Sequence, residues 1–172
     1  MSFDLTLGRA EPCKNSVGGL KAVYFVNYGA MGTVTIDALT EELTAISATL
    51  PDAFKYELKG GNTFTQVGNS SRENGTTFFE QTLEFTVKGL TVADNKELKL
   101  LSYGRPHVIV ETNNGDLFIA GLEHGMEVTS LTANTGTAMG DAYGYTISMV
   151  GQEKILANFL KDPIDGNFTI IP

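Results

Sequence analysis

Residues 76–88 read Thr-Thr-Phe-Phe-Glu-Gln-Thr-Leu-Glu-Phe-Thr-Val-Lys, and their side chains alternate between apolar and polar. The apolar face consists of Phe79, Leu83, Phe85 and Val87. The polar face consists of Glu80, Thr82, Glu84 and Thr86. A period of two over this length is typical of a β-strand that is buried on one side. Gln81 interrupts the apolar face once.

Similar patterns predict further strands on both sides of this segment. They fall at residues 20–28, 33–37, 43–49, 54–59, 107–112, 117–122, 126–131 and 143–150. Residues 36–50 also space their apolar side chains as a helix would, but the composition after Leu43 favours a strand. The pair Asn114-Gly115 predicts a tight hairpin turn, because both residues tolerate positive φ.

One helix is predicted at residues 91–103. Asp94 and Glu97 have the spacing of a capping box near its start. Gly104 stands where a C-terminal cap belongs, and Pro106 prevents the helix from continuing. We therefore expect a mainly β fold, a small β-sandwich or barrel, with one flanking α-helix.

Two other segments are expected to stand apart from this core. Residues 54–88 are predicted to form one long hairpin, whose polar stretch at residues 60–75 is a protruding loop. Loops of that length in a compact domain are usually functional or mobile. Residues 155–172 are predicted to form an irregular C-terminal tail.

Residues 1–18 predict an extended N-terminal arm, because Gly and Pro interrupt any regular element there. The arm carries Phe3, Leu5 and Leu7 at alternate positions. An arm with that pattern can add a strand to a neighbouring subunit. The alternative is a frayed terminus.

The composition indicates one folded, acidic domain spanning residues 1–172. A chain of 172 residues with 42% hydrophobic and 19% charged residues can bury a single core. Acidic residues outnumber basic ones by 20 to 12, and the net charge is −8. An acidic surface repels nucleic acid and anionic membranes, which argues against a grip on DNA phosphates. This charge suits a protein that lets DNA pass without binding it.

Several features predict synthesis and folding in a cytoplasm. The N-terminus lacks the basic start and continuous apolar stretch of a signal peptide. No apolar run approaches the roughly 20 residues that span a bilayer, so no membrane partner is expected. Cys13 is the only cysteine, which excludes an intrachain disulfide and a zinc site built from paired cysteines.

The residue types that carry most catalytic chemistry are sparse. His107 and His124 are the only histidines, and without a supporting acid cluster they are expected to have structural or surface roles. No nucleophile elbow and no phosphate-binding Gly loop accompany them. We therefore expect no catalytic site, no metal ion and no cofactor.

The carboxylates also fit structural roles better than catalytic ones. Asp162, Asp165 and Asn167 surround Gly166, but the terminal Glu of a calcium loop is missing, so a plain turn is expected. Glu80 and Glu84 would lie roughly 13 Å apart on one strand face, which is wider than the carboxylate pairs of glycosidases. A solvated acidic face is the simpler interpretation.

The order of the predicted elements and three stretches of sequence resemble the tail-tube proteins of bacterial viruses. The first stretch joins Phe54-Lys-Tyr-Glu-Leu-Lys to Phe78-Phe-Glu-Gln-Thr-Leu-Glu-Phe. The second joins Leu98-Lys-Leu-Leu to Val108-Ile-Val-Glu-Thr-Asn-Asn-Gly-Asp-Leu. The third joins Gly125-Met-Glu-Val-Thr to Gly136-Thr-Ala-Met-Gly-Asp-Ala-Tyr-Gly-Tyr-Thr. The likeness covers residues 19–160, and the family has no catalytic motif to transfer.

The resemblance implies a structural virion protein that assembles with copies of itself. Hexameric rings would stack into a hollow tail tube, contact other tail proteins and let DNA through without specific binding. The acidic residues expected to face the bore are Glu80, Glu84, Glu111 and Asp116. The residues expected in a loop between stacked rings are Asn62, Phe64, Arg72 and Glu73.

Three alternatives remain open at this stage. The chain can be another virion component, such as a head–tail connector, a decoration protein or the tube of a contractile injection system. It can be a ligand-binding β-sandwich whose groove is lined by Tyr24, Tyr28, Tyr143 and Tyr145, although core or interface packing explains these tyrosines more simply. An enzyme is the least favoured, because the constellations that catalysis needs are missing.

Overall fold

A computed structural model describes residues 3–161 and 163–172. This part of the chain is mainly β and forms a sandwich of two sheets. The elements in chain order are β1 Leu20–Val26, β2 Val34–Ile36, β3 Leu43–Ile46, β4 Asp52–Glu57, β5 Thr63–Ser71, β6 Thr76–Lys88, α1 Val92–Tyr103, β7 His107–Thr112, β8 Leu117–Ala120, β9 Glu127–Asn134, β10 Gly144–Glu153, β11 Asn158–Phe159, α2 Ile164–Asn167 and β12 Thr169–Ile171.

The strands are divided between a large sheet, a small sheet and a separate pair. The large sheet has the order β11-β8-β7-β1-β4-β12 and is antiparallel except for the parallel pair of β12 with β4. The small sheet has the order β5-β6-β10-β9 and is antiparallel throughout. Strands β2 and β3 pair with each other, and Leu43 of β3 also forms an isolated parallel bridge with Leu160.

Strand β1 is buried on both faces, which explains why its sequence is an almost continuous apolar run. On one side, Val23 and Phe25 pack with residues of the small sheet such as Phe85. On the other side, Tyr24 packs in a second cluster that includes Phe168 from the C-terminal segment. The large sheet is therefore the middle layer, and one face of the small sheet is exposed to solvent.

Helix α1 confirms the predicted helix, but its N-terminal cap differs. Thr91 is the N-cap residue, and its Oγ1 accepts a hydrogen bond from the Asp94 N–H at 3.0 Å. Asp94 therefore lies inside the first turn and does not start a capping box with Glu97. Gly104 caps the C-terminus as predicted, with extended backbone and an N–H that donates to Leu100 and Leu101.

The prediction of one hairpin over residues 54–88 is wrong. Strand β4 belongs to the large sheet, where it pairs with β1 and β12. Within the predicted loop at residues 60–75, the segment Thr63–Ser71 is itself a strand that pairs along its length with β6. The stretch looked like a loop because it is polar, but an edge strand with one solvated face needs few apolar residues. The turn that projects is only residues 72–75.

The prediction of an irregular tail over residues 155–172 is also wrong. This segment supplies β11, the short helix α2 and β12, so the described chain has a second helix in addition to the predicted one. Phe168 is 2% exposed and lies in the cluster beneath the large sheet. These elements are two to four residues long, too short to show a period in the sequence, and tertiary packing specifies them.

The hairpin between β7 and β8 confirms the predicted turn, with a different backbone. The Gly115 N–H donates to the Thr112 carbonyl at 3.0 Å, and Gly115 has a φ of 92°. Asn114 is not among the described residues with positive φ. The turn therefore places a left-handed glycine after two ordinary turn residues, which is the geometry of a three-residue hairpin loop.

Gln81 is the polar interruption of the apolar face, and it joins the two sheets. Its side chain is buried, and Oε1 accepts a hydrogen bond from the Gly121 N–H at 2.9 Å. Gly121 directly follows β8 of the large sheet, whereas Gln81 lies in β6 of the small sheet. The bond satisfies a buried backbone donor that has no strand partner at this position.

Replacing Gln81 with Leu should destabilise the protein by about 1–3 kcal/mol, because the Gly121 N–H would lose its acceptor while remaining buried. Urea unfolding measures the change. Gln152→Leu is the matched control, since Gln152 is exposed on the opposite face of the same sheet. It should change the free energy of unfolding by less than about 0.5 kcal/mol. Equal effects of the two substitutions would contradict this role for Gln81.

His107 holds two loops together as a neutral ring. Its Nδ1 lies 2.7 Å from the Gly121 carbonyl, and its Nε2 accepts a hydrogen bond from the Gly29 N–H at 3.3 Å. The ring stacks on Tyr28 at a centroid distance of 5.1 Å. Burial lowers the pKa of His107 below its ordinary value of 6.5, although the Gly121 carbonyl and the charge of Glu153 act in the opposite direction.

The stability of the protein should therefore fall as the pH drops below 6.5. The unfolded chain then binds a proton at residue 107 that the folded chain binds only at lower pH. His107 contributes at most about 1.4 kcal/mol per pH unit to the slope of the free energy of unfolding against pH. Urea unfolding of the wild type and of His107→Gln from pH 7.5 to 5 measures it. The variant should show a shallower pH dependence, and identical curves would refute the assignment.

Candidate assembly surface

The outward face of the small sheet carries the predicted acidic strand face. We call this the outer face; it is defined by Thr63, Thr65, Val67, Glu80, Thr82, Glu84, Thr86, Lys88, Ser130, Thr132, Thr146, Ser148 and Val150, which alternate with buried core residues. Glu80 and Glu84 lie in the central strand β6, as the sequence pattern predicted. Glu127 pairs with Val150 on the same side. The outer face therefore carries more acidic side chains than basic ones, of which Lys88 is an example.

Glu111 and Asp116 do not join Glu80 and Glu84. Glu111 lies in β7 of the large sheet, where its Oε1 contacts the Lys21 ammonium at 3.1 Å. Its Oε2 accepts a hydrogen bond from the Tyr24 hydroxyl at 2.9 Å. Burial and this bond raise the pKa of Tyr24. Glu111 therefore has a structural role within the subunit, and Asp116 is exposed beside the hairpin turn that follows β7.

The residues predicted for a loop between rings divide into two groups. Asn62 is buried, and its Oδ1 accepts a hydrogen bond from the Thr86 N–H at 2.9 Å. Phe64 points inward and lies 6.4 Å from the Phe118 ring. Arg72 and Glu73 are exposed in the turn between β5 and β6. Only the latter two are placed where they can reach another molecule.

The two edges of the small sheet, β5 and β9, carry few of the features that normally prevent an edge from pairing. Strand β9 begins with the charged Glu127 and has one register shift against β10, between its pairs with Ser148 and Met149. Residues 63–71 contain no charge and no proline, and neither do residues 128–134. Helix α1 contacts β9, yet the side chains of residues 129–134 are all exposed. Soluble proteins usually protect such edges with Lys, Pro or a bulge, because open backbone groups recruit other strands. Both edges are therefore suited to pair with another chain.

Two asparagines anchor the root of the N-terminal arm. The Val17 N–H donates to the Asn114 Oδ1 at 2.9 Å, and the Asn114 Nδ2 donates back to the Val17 carbonyl at 2.8 Å. Asn113 contacts Gly18 in a similar way. Residues 3–18 are exposed, and the apolar side chains of Phe3, Leu5 and Leu7 are 88–97% exposed. The sequence pattern identified the arm but not the two asparagines that hold it.

The tyrosines of the ligand-binding alternative do not meet in one groove. Tyr145 belongs to the core between the two sheets, and Tyr24 belongs to the cluster beneath the large sheet. Tyr28 packs between His107 and Arg105, whose guanidinium carbon lies 4.1 Å from the ring centroid. Tyr143 is exposed in the loop before β10. Three of the four thus have packing roles.

The segment around Gly166, where a plain turn was predicted, is described only in part. Asp162 lies outside the described residues. Asp165 and Asn167 belong to helix α2, in which the Phe168 N–H donates to the Ile164 carbonyl at 3.0 Å. A single helical turn therefore stands where a plain turn was predicted.

Comparison with models of known protein families, with curated proteins and with solved structures found no match to this chain. The resemblance to tail-tube proteins stays a prediction. Within residues 3–161 and 163–172, no helix combines the length and apolar character needed to cross a membrane.

The two chain termini should respond differently to truncation or substitution. Deleting residues 3–12 should change the free energy of unfolding by less than about 0.5 kcal/mol, because the apolar side chains of the arm are exposed and bury little surface. Phe168→Ala should cost about 3–5 kcal/mol, because it empties a buried site under the large sheet. Urea unfolding of both variants checks this contrast. A loss above about 1 kcal/mol on arm deletion would show that the arm supports its own subunit.

Proposed function

We propose that this protein is a structural subunit whose copies pair edge to edge into closed rings, and that the rings stack into a hollow tube. The observation that carries the proposal is the pair of edges on one sheet that have neither charge nor proline over residues 63–71 and 128–134. Two such edges on a single small domain are a liability unless a neighbour covers them.

The strand directions favour this pairing. The small sheet is antiparallel with an even number of strands, so β5 and β9 run in opposite directions. In a ring, β9 of one copy would therefore lie antiparallel to β5 of the next, and the sheet would continue without a change of pattern. The contact joins two different surfaces, and contacts of this kind close into rings when the rotation between copies allows it.

The size of the closed sheet supports an open bore. The family resemblance implies six copies, each contributing the four strands of its small sheet. The total number of strands in such a ring exceeds the about 16–18 strands of porins, which already enclose an aqueous channel. The core side of each sheet is covered by its own large sheet, so the outer face would line the channel.

The charge of the outer face agrees with passage of DNA. Glu80 and Glu84 would repeat around the bore in every ring, and a concentrated negative potential repels phosphate. DNA in such a channel would gain no counterion release from the wall and would not be retained. Transit of a viral genome and a place in the virion tail are therefore part of the proposal, as is the absence of a catalytic role.

A single charge on the edge tests the proposal. Leu131 lies in β9 on the core side and is 36% exposed, so a lysine there can stay hydrated in a free subunit. Pairing with a neighbour would bury that charge, at a cost of several kcal/mol. Leu131→Lys should therefore remain monomeric in sedimentation velocity and in electron micrographs, under conditions in which the wild type forms rings or tubes.

Thr132→Lys is the matched control. It adds the same charge to the next residue of the same strand, but on the outer face, which would remain hydrated in a bore. This variant should still assemble. If Leu131→Lys assembled, pairing through β9 would be refuted. If Thr132→Lys did not assemble, an outer face that lines an open channel would be refuted.

A further inference from the structure

The turn between β8 and β9 brings together a second set of polar groups, away from the two sheet edges. Glu153, near the end of β10, is the centre of this set, and its side chain is only 3% exposed. Its Oε1 accepts hydrogen bonds from the N–H groups of Glu123 at 3.2 Å and His124 at 2.8 Å. These bonds fix the carboxylate and leave Oε2 to face other ligands.

His124 and Glu123 complete the set. The Nδ1 atom of His124 lies 3.2 Å from the Oε2 of Glu153. One ligand atom from each of the three residues, including a carboxylate oxygen of Glu123, lies within 4.8 Å of the others. Both His124 and Glu123 are exposed, so their side chains can adjust while Glu153 stays in place.

These distances fit a shared metal ion. Two ligands at bond lengths of about 2.0–2.1 Å are about 3.4 Å apart in a tetrahedral site and about 3.0 Å apart in an octahedral one. The observed 3.2 Å lies between these values. Zn²⁺ accepts both imidazole nitrogen and carboxylate oxygen as ligands, whereas Mg²⁺ and Ca²⁺ take oxygen ligands, so the imidazole of His124 favours Zn²⁺.

The surroundings add room and rigidity. A cavity of about 130 Å³ is lined by Glu123 and Glu153, although not by His124, and it has room for water molecules beside the two carboxylates. The Tyr28 hydroxyl donates to the Glu123 carbonyl at 2.8 Å and holds the turn from another side. Gly121 and Gly125 take φ values of 65° and 75°, which bring the two ends of the turn together.

We propose that Glu123, His124 and Glu153 form a binding site for one Zn²⁺ ion, with water completing the coordination. The ion would join the turn that leaves the large sheet to the end of β10 in the small sheet. A metal held by the folded state alone stabilises that state by mass action. This inference does not depend on the proposed function and can be tested on the unassembled chain.

Zinc titration of the EDTA-treated, dialysed chain by calorimetry is the direct test. All samples should carry Cys13→Ser, because the exposed thiol is a competing zinc ligand. The Cys13→Ser chain should bind one Zn²⁺ and unfold at a higher temperature when zinc is present. His124→Gln and Glu153→Gln should each weaken binding at least about tenfold. Glu127→Gln is the control, an exposed acid nearby that should bind zinc like the parent chain.

Cobalt provides a second readout that does not rely on stability. Co²⁺ in place of Zn²⁺ should give visible absorption bands that saturate at one equivalent and disappear in His124→Gln. Because His124 is exposed, this variant should fold even if Glu153→Gln does not. Absence of saturable one-to-one zinc binding, or equal zinc affinity in His124→Gln and its parent, would overturn the proposal.

Discussion

The packing of the inner face of β6 and β10 against β1 and β7 is the contact on which the rest of the molecule depends. Leu83, Phe85 and Ile147 are fully buried against residues such as Val23 and Val110. Burying side chains of this size contributes about 1.5–3 kcal/mol each. Because strand residues alternate, this contact also determines which side chains remain outside.

Two consequences follow from that contact for assembly. The small sheet has one covered face and one solvated face, so Glu80 and Glu84 lie together on an exposed surface. The large sheet is covered on both sides by the small sheet and by the segments that carry Tyr24 and Phe168. Its middle strands thus have little surface for a partner, whereas β5 and β9 present mainly polar edges that carry no charge over residues 63–71 and 128–134.

The sequence predicted most of what local periodicity can specify. The alternation of residues 76–88, the helix ending at Gly104 and the hairpin at Gly115 all correspond to elements of the structure. Periodicity did not predict how strands pair with partners that are distant in the sequence. Strand β4 joins β1 in the large sheet, and the polar strand β5 is recognisable only from its pairing with β6.

Among the candidate site residues, too, local spacing was predictable and long-range contacts were not. Glu80 and Glu84 were found because their spacing places them on one face of one strand. Glu111 was grouped with Asp116 by proximity in the chain, but its partners, Lys21 and Tyr24, are about 90 residues away, as the strand pairing requires. His124 was expected to lack an acidic cluster, because Glu153 joins it only through the fold.

A cryo-electron microscopy reconstruction of the purified, assembled protein would show whether neighbouring subunits pair through β5 and β9. We expect closed rings in which β9 of each subunit pairs antiparallel with β5 of the next, with Glu80 and Glu84 facing a central channel. A chain that stays monomeric at every concentration would contradict this expectation. So would an assembly in which these two edges remain unpaired or the acidic face points outward.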